Sequence, residues 1–151
     1  MTEPRPLRAV LETTLYVDDL ERARHFYGAV LGLEESAYRP PLFAFFRLER
    51  AMLLLFDPAR ASTSTSVPPH GANGPGHVAF AVADSALDDW RVRLEAAGVG
   101  IEQEASWPRG GRSLYFRDPA GNSLELAAPS IWGFDDGDVL PDVVHSPTMD
   151  R

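Results

Sequence analysis

The sequence predicts an α+β protein built from two βαβββ modules that form a cupped, mostly antiparallel mixed sheet. Three observations predict it. A strand-then-helix pattern occurs twice, offset by 65 residues. Each copy runs on into short β-rich segments. A Pro-, Ser-, Thr- and Gly-rich stretch at 57–76, without apolar periodicity, separates the copies. The modules then occupy 8–60 and 74–130, with a linker at 61–73 and an acidic tail at 131–151.

The first copy opens with Glu12-Thr-Thr-Leu-Tyr-Val-Asp-Asp19 and the second with His77-Val-Ala-Phe-Ala-Val-Ala-Asp84, both period-2 strands ending on an acid. A helix follows each. In the first, Ala23, Phe26, Tyr27, Val30 and Leu31 form one apolar stripe. Asp18 or Asp19 is expected to cap it, with Glu21 completing a capping box and Gly32 as the stop. In the second, Leu87, Trp90, Leu94 and Ala97 form the stripe, Asp84 or Ser85 is the expected cap, and Gly98 ends it. Further strands are expected at 42–48, 52–56, 113–117 and 123–127, with Asp118-Pro-Ala-Gly-Asn122 as a hairpin turn whose Gly121 or Asn122 takes positive φ.

Composition excludes several function classes. At 151 residues, 44% hydrophobic and 24% charged, the chain can bury a core. It has no Cys, which removes disulfides, thiol nucleophiles and Cys-ligated metals. All 14 basic residues are Arg, so lysine Schiff-base chemistry and a P-loop lysine are excluded too. A net charge of −8 without a basic stripe argues against nucleic acid as a partner. The tail from 135 holds Asp135, Asp136, Asp138, Asp142 and Asp150 against Arg151, as a solvated end does. The longest apolar runs, such as 52–56, are too short to span a bilayer, and no apolar signal region opens the chain. A cytoplasmic protein with no membrane partner is expected.

Alternation sorts the strand residues by face. Thr13, Leu15 and Val17, like Val78, Phe80 and Val82, are expected against the helices, and Leu124 with Leu126 in the core. The opposite, open faces then carry Glu12, Thr14 and Tyr16 in the first copy, and His77, Ala79, Ala81 and Glu125 in the second. Glu12 and His77 are repeat-equivalent, and Glu125 interrupts an apolar strand where an unpaired carboxylate would be costly. A divalent cation would resolve that cost, and three protein ligands with open positions is a catalytic arrangement.

The run LETTLYVDDLERARHFYGAVLGL, the later GHVAFAV, and YFRDPAGNSLEL resemble the vicinal oxygen chelate superfamily, which includes glyoxalase I, extradiol dioxygenases, fosfomycin-resistance transferases and bleomycin-resistance proteins. The resemblance spans about residues 8–130. It implies paired βαβββ modules around a divalent metal, with the family's first-strand ligand, usually His, at Glu12, its second-module His at His77 and its last-strand Glu at Glu125. It also implies a homodimer, which exposed sheet edges would favour. Two departures stand out. The fourth carboxylate of glyoxalase I falls near Leu54, where none is available. Extradiol dioxygenases use two His and one carboxylate, against one His and two carboxylates here.

Such a set suits Mn, Fe, Zn or Mg. The expected chemistry is Lewis-acid lyase, isomerase or transferase work on a small oxygenated molecule, with Glu12 or Glu125 as base. Arg109 and Arg112 would clamp a substrate anion, and Tyr16 and Tyr115 would donate to the substrate. His70, in the linker, reads as a solvated loop residue. The alternatives are an extradiol-type dioxygenase and a metal-free, bleomycin-resistance-like binding protein, for which Phe43, Phe45, Phe56 and Trp107 would line the pocket.

Overall fold

The computed structural model describes residues 7–140. In chain order these form β1 (Glu12–Tyr16), α1 (Leu20–His25), β2 (Glu34–Arg39), β3 (Phe43–Arg47), β4 (Met52–Phe56), α2 (Pro58–Ala61), β5 (His77–Ala81), α3 (Leu87–Ala96), β6 (Gln103–Ser106), β7 (Arg112–Arg117), β8 (Ser123–Ala127) and α4 (Asp136–Val139). They build two four-stranded sheets, ordered β1-β4-β3-β2 and β5-β8-β7-β6. The repeated order confirms the expected α+β class with its duplicated βαβββ unit.

In the first sheet β1 runs parallel to β4, while β3 is antiparallel to β4 and to β2. Directly paired residues share a face. Leu15, Leu55 and Ala44 therefore lie together, as do Thr13, Leu53 and Phe46. Leu15, Ala44, Phe46, Leu53 and Leu55 are all at most 3% exposed, and Tyr27 packs on Phe46 with centroids 5.8 Å apart. This is the helix side. The opposite face carries the rows Glu12–Met52–Arg47, Thr14–Leu54–Phe45 and Tyr16–Phe56–Phe43.

The chain divides into two compact units, one of residues up to His77 with Asp118–Ser123, the other of Val78–Arg117 with the residues from Leu124. The hairpin turn after β7 thus belongs to the first unit. There Asp118 accepts hydrogen bonds from the Tyr27 hydroxyl (2.8 Å), the Asn122 side chain (2.9 Å) and the amides of Ala120 and Asn122 (3.0 and 2.8 Å). Gly121 supplies the positive φ, at 90°. Burial beside the Asp118 carboxylate pushes the Tyr27 hydroxyl well above the usual tyrosine range.

Several local expectations are corrected. Asp19 caps α1 by accepting from the Arg22 amide, but Glu21 closes no capping box; it pairs with Arg24 and Tyr38 instead. The apolar stripe continues past α1 as a wide π-turn, Phe26–Val30, with the Leu31 amide reaching the Phe26 carbonyl, and Gly32 at φ 75° ends it. Neither Asp84 nor Ser85 caps α3. A 3₁₀ turn at Asp84–Ala86 precedes it without a side-chain cap, and Asp84 faces Arg112. Strands β2 and β6 had no sequence signal. Both are sheet edges rich in polar residues, so solvent replaces the partner that would impose apolar alternation. No helix among the described residues is long and apolar enough to cross a membrane. Asp142, His145, Asp150 and Arg151 lie outside the described residues.

Candidate functional site

The two copies repeat one hydrogen-bond frame. The Met52 amide donates to the Leu11 carbonyl and the Val17 amide to Phe56; in the second copy, Ser123 donates to Gly76 and Val82 to Ala127. The frame aligns Glu12 with His77 and, more informatively, Leu54 with Glu125. The first copy therefore contributes a carboxylate on its first strand and a leucine on its last. The second contributes an imidazole and then a carboxylate.

His77 is positioned by the chain just before it. The Asn122 side chain accepts from the Gly76 amide at 2.8 Å and donates to the Tyr16 carbonyl at 2.9 Å. Gly76 is glycine for want of space, since a Cβ there would sit 2.9 Å from Leu15 Cδ2. The ring of His77 is exposed, with Nδ1 2.9 Å from the Ser123 carbonyl. A carbonyl only accepts, so Nδ1 carries a proton; in the neutral ring Nε2 then has the lone pair that a metal-ligating histidine requires.

Glu125 is 6% exposed in the middle of β8, between Leu124 and Leu126, both at most 3% exposed. The Tyr115 hydroxyl bonds to it; burial first, then this carboxylate, holds that phenol above the ordinary tyrosine range. Glu12 is exposed at the start of β1. One imidazole nitrogen and two carboxylates fit a borderline or hard divalent cation, and Tyr115 and the Ser123 carbonyl are the outer partners such ligands need. Among the described residues, no three His, Asp or Glu side chains are gathered at one point.

The other candidates are distributed as follows. Arg112 donates to Asp88 Oδ1 (3.1 Å), Glu104 Oε1 (3.2 Å) and the Asp84 carbonyl (3.2 Å), tying α3 and its leading turn to β6. Its side chain therefore already has a full set of acceptors. Arg109 is exposed and donates to the Trp132 carbonyl at 3.3 Å. Trp107 is 39% exposed and bonds Ser113 through its indole nitrogen at 2.9 Å. Tyr16 meets a residue that sequence reasoning left in solvent: its hydroxyl is 2.6 Å from His70 Nδ1. His70 is half-buried, and its ring stands edge-on to Phe56. The segment around it, Pro-Pro-His-Gly, has no periodicity that links it to β1.

A family model described as the Glyoxalase/Bleomycin resistance protein/Dioxygenase superfamily matches residues 9–126. The chain belongs to this superfamily. Within the glyoxalase superfamily it is 34% identical to glutathione transferase FosA of Serratia marcescens over 126 residues, 83% of this chain and 84% of that protein. The crystal structure of lactoylglutathione lyase from Agrobacterium tumefaciens superposes with a TM-score of 0.83 at 45% identity, covering 86% of this chain and all (100%) of that one. A glyoxalase/bleomycin resistance protein/dioxygenase from Nocardioides matches with a TM-score of 0.66 at 30% identity, covering 84% of this chain and 85% of that one.

Proposed function

We propose that this protein is a metal-dependent enzyme that binds neighbouring oxygens of a small substrate, with Glu12, His77 and Glu125 as ligands to a divalent cation of the Mn, Fe, Zn or Mg group. One observation carries the proposal: the shared hydrogen-bond frame that makes Glu12 equivalent to His77, whose Nδ1 is bonded to the Ser123 carbonyl. The names of the relatives support it. Besides the lyase and transferase above, metallothiol transferase FosB of Shouchella clausii (strain KSM-K16) is 40% identical over 52 residues, 33% of this chain and 36% of that protein.

When bound, such a cation supplies Lewis acidity to a developing oxyanion. The chain's own groups do the rest. Whichever of Glu12 and Glu125 is not ligating would take a proton from the substrate. Tyr115 holds Glu125 in one orientation, while the Tyr16 hydroxyl, on the same face as Glu12, is engaged by His70. Arg109 is the cation we assign to a substrate anion, because Arg112 is engaged by Asp84, Asp88 and Glu104. We further propose that the ligand set is completed by pairing two copies of the chain as a homodimer in the cytoplasm.

The deciding experiment is metal analysis with titration calorimetry on untreated protein. About one equivalent per chain is expected, with affinity falling at least tenfold in each of Glu12→Gln, His77→Gln and Glu125→Gln. Less than a few tenths of an equivalent, with no binding on titration, would favour a metal-free binding protein. That second reading has its own support in the contacting, half-buried rings of Phe43, Phe45 and Phe56.

A further inference from the structure

Glu125 stands at the inner end of a line of side chains that begins at the surface. The Trp107 indole donates to the Ser113 hydroxyl at 2.9 Å, and the Tyr115 hydroxyl bonds both to Ser113 and to Glu125. All four residues lie in the unit of Val78–Arg117 and the residues from Leu124. Strand order accounts for the line. Ser113 and Tyr115 alternate onto one face of β7, which pairs with β6 on one side and with β8, the strand of Glu125, on the other. Trp107 follows β6 directly, where Ser106 is the register partner of Arg112. Exposure falls from 39% at Trp107 to 0% at Ser113 and 6% at Glu125, so at Ser113 solvent offers no substitute partner.

The chemistry of its ends gives the line one direction. An indole N–H only donates, an ionised carboxylate only accepts, and each hydroxyl has a single proton. Ser113, having accepted from Trp107, therefore donates to Tyr115, and Tyr115 donates to Glu125. Each bond polarises the next. Because the indole N–H is not acidic, the line orients groups and carries no proton away. Its outer end is fixed by the turn after β6. There the Trp107 amide donates to the Gly111 carbonyl at 3.1 Å and the Gly110 amide to the Trp107 carbonyl at 2.9 Å, with Gly110 and Gly111 at φ 99° and 79°. The same turn carries Arg109.

We propose that Trp107 and Ser113 are positioning residues for Glu125: one directed hydrogen-bond relay, Trp107 to Ser113 to Tyr115 to Glu125, aims the carboxylate from the turn that carries Arg109. The proposal rests on the assignment of Glu125 as a metal ligand, and the test separates the two. By calorimetry, Mn²⁺ affinity is expected to fall about tenfold in Tyr115→Phe, the low end for an outer partner of a metal ligand, and about threefold in Ser113→Ala and in Trp107→Phe. Once the Tyr115 hydroxyl is gone, neither of the latter two should cost anything further, because the relay is already cut. Trp107→Phe, at an exposed position, keeps the test open if the Ser113 variant does not fold. Losses of equal size with and without the Tyr115 hydroxyl are what packing alone produces; they, or no loss at all, would overturn the relay. If the protein takes up no Mn²⁺, the metal-free chain decides by NMR. Of the indole N–H resonances of Trp90, Trp107 and Trp132, only that of Trp107, identified by its loss in Trp107→Phe, should move in Tyr115→Phe. Movement upholds the relay and rejects only the metal ligation; no movement rejects both.

Discussion

Gly76 and Tyr27 show how single residues hold the candidate site. A Cβ at position 76 would press on Leu15, which is 3% exposed. Gly76→Ala is expected to cost about 1–3 kcal/mol in urea unfolding, the usual range for overpacking a core, and to weaken metal binding through His77 next door. Tyr27→Phe removes a donor from the buried Asp118 and should cost about 1–3 kcal/mol near neutral pH. The pH dependence follows from the direction of the Tyr27 shift. Its hydroxyl titrates higher folded than unfolded, so its contribution is complete below about pH 10, the ordinary tyrosine value, and is lost as pH rises beyond it. Stability measured at pH 9 and pH 11 should therefore fall more steeply in the native chain than in Tyr27→Phe. At this scale alternation and repeat position picked out Glu12, His77 and Glu125 as candidates. It did not show His70, because the Tyr16 contact spans an aperiodic segment, nor the acids around Arg112, which come from three separate stretches of chain.

Helix starts and sheet edges separate what local pattern reveals from what it leaves out. The Asp19 carboxylate accepts from the Arg22 amide at 3.0 Å, and Asp19→Ala should cost about 1 kcal/mol. Ser85 was an equally reasonable cap from its position, yet no side chain caps α3 or its leading turn. Ser85→Ala should stay within about 0.5 kcal/mol, as exposed substitutions usually do, and thermal unfolding of the two variants side by side checks both. A 3₁₀ turn moved the start of α3 beyond Asp84 and Ser85, a shift that apolar spacing does not encode. The strands with apolar neighbours on both sides, β4 and β8, were legible to the residue: 52–56 and 123–127 were expected and found. The edge strands β2 and β6 were not, because Glu34-Glu-Ser-Ala-Tyr-Arg39 and Gln103-Glu-Ala-Ser106 answer to solvent.

For the whole molecule, duplication is the dominant fact, and it was readable because both copies kept strand, helix and turn in the same order. What the duplication could not convey is that the Asp118–Ser123 turn of the second copy belongs to the unit built on the first. A bound cation should raise stability by mass action, by about 2.7 kcal/mol at a hundredfold excess over Kd. Glu125→Gln, binding at least tenfold more weakly, should remove about half of that gain or more in a thermal melt with and without Mn²⁺. Light scattering at micromolar concentration is expected to give twice the chain mass, and a monomer would refute the pairing proposed above.

The tie between Asn122 and Tyr16 spans 106 positions of sequence, and this bears on how the protein is made. While a ribosome is still delivering the residues before Asp118, the first sheet and helix exist without the partners of the Tyr27 hydroxyl and the Tyr16 carbonyl. Early folding of that half is thus left provisional until the hairpin emerges. A gene cut between the two repeats, convenient as that boundary looks, would separate the first half from the turn that completes it.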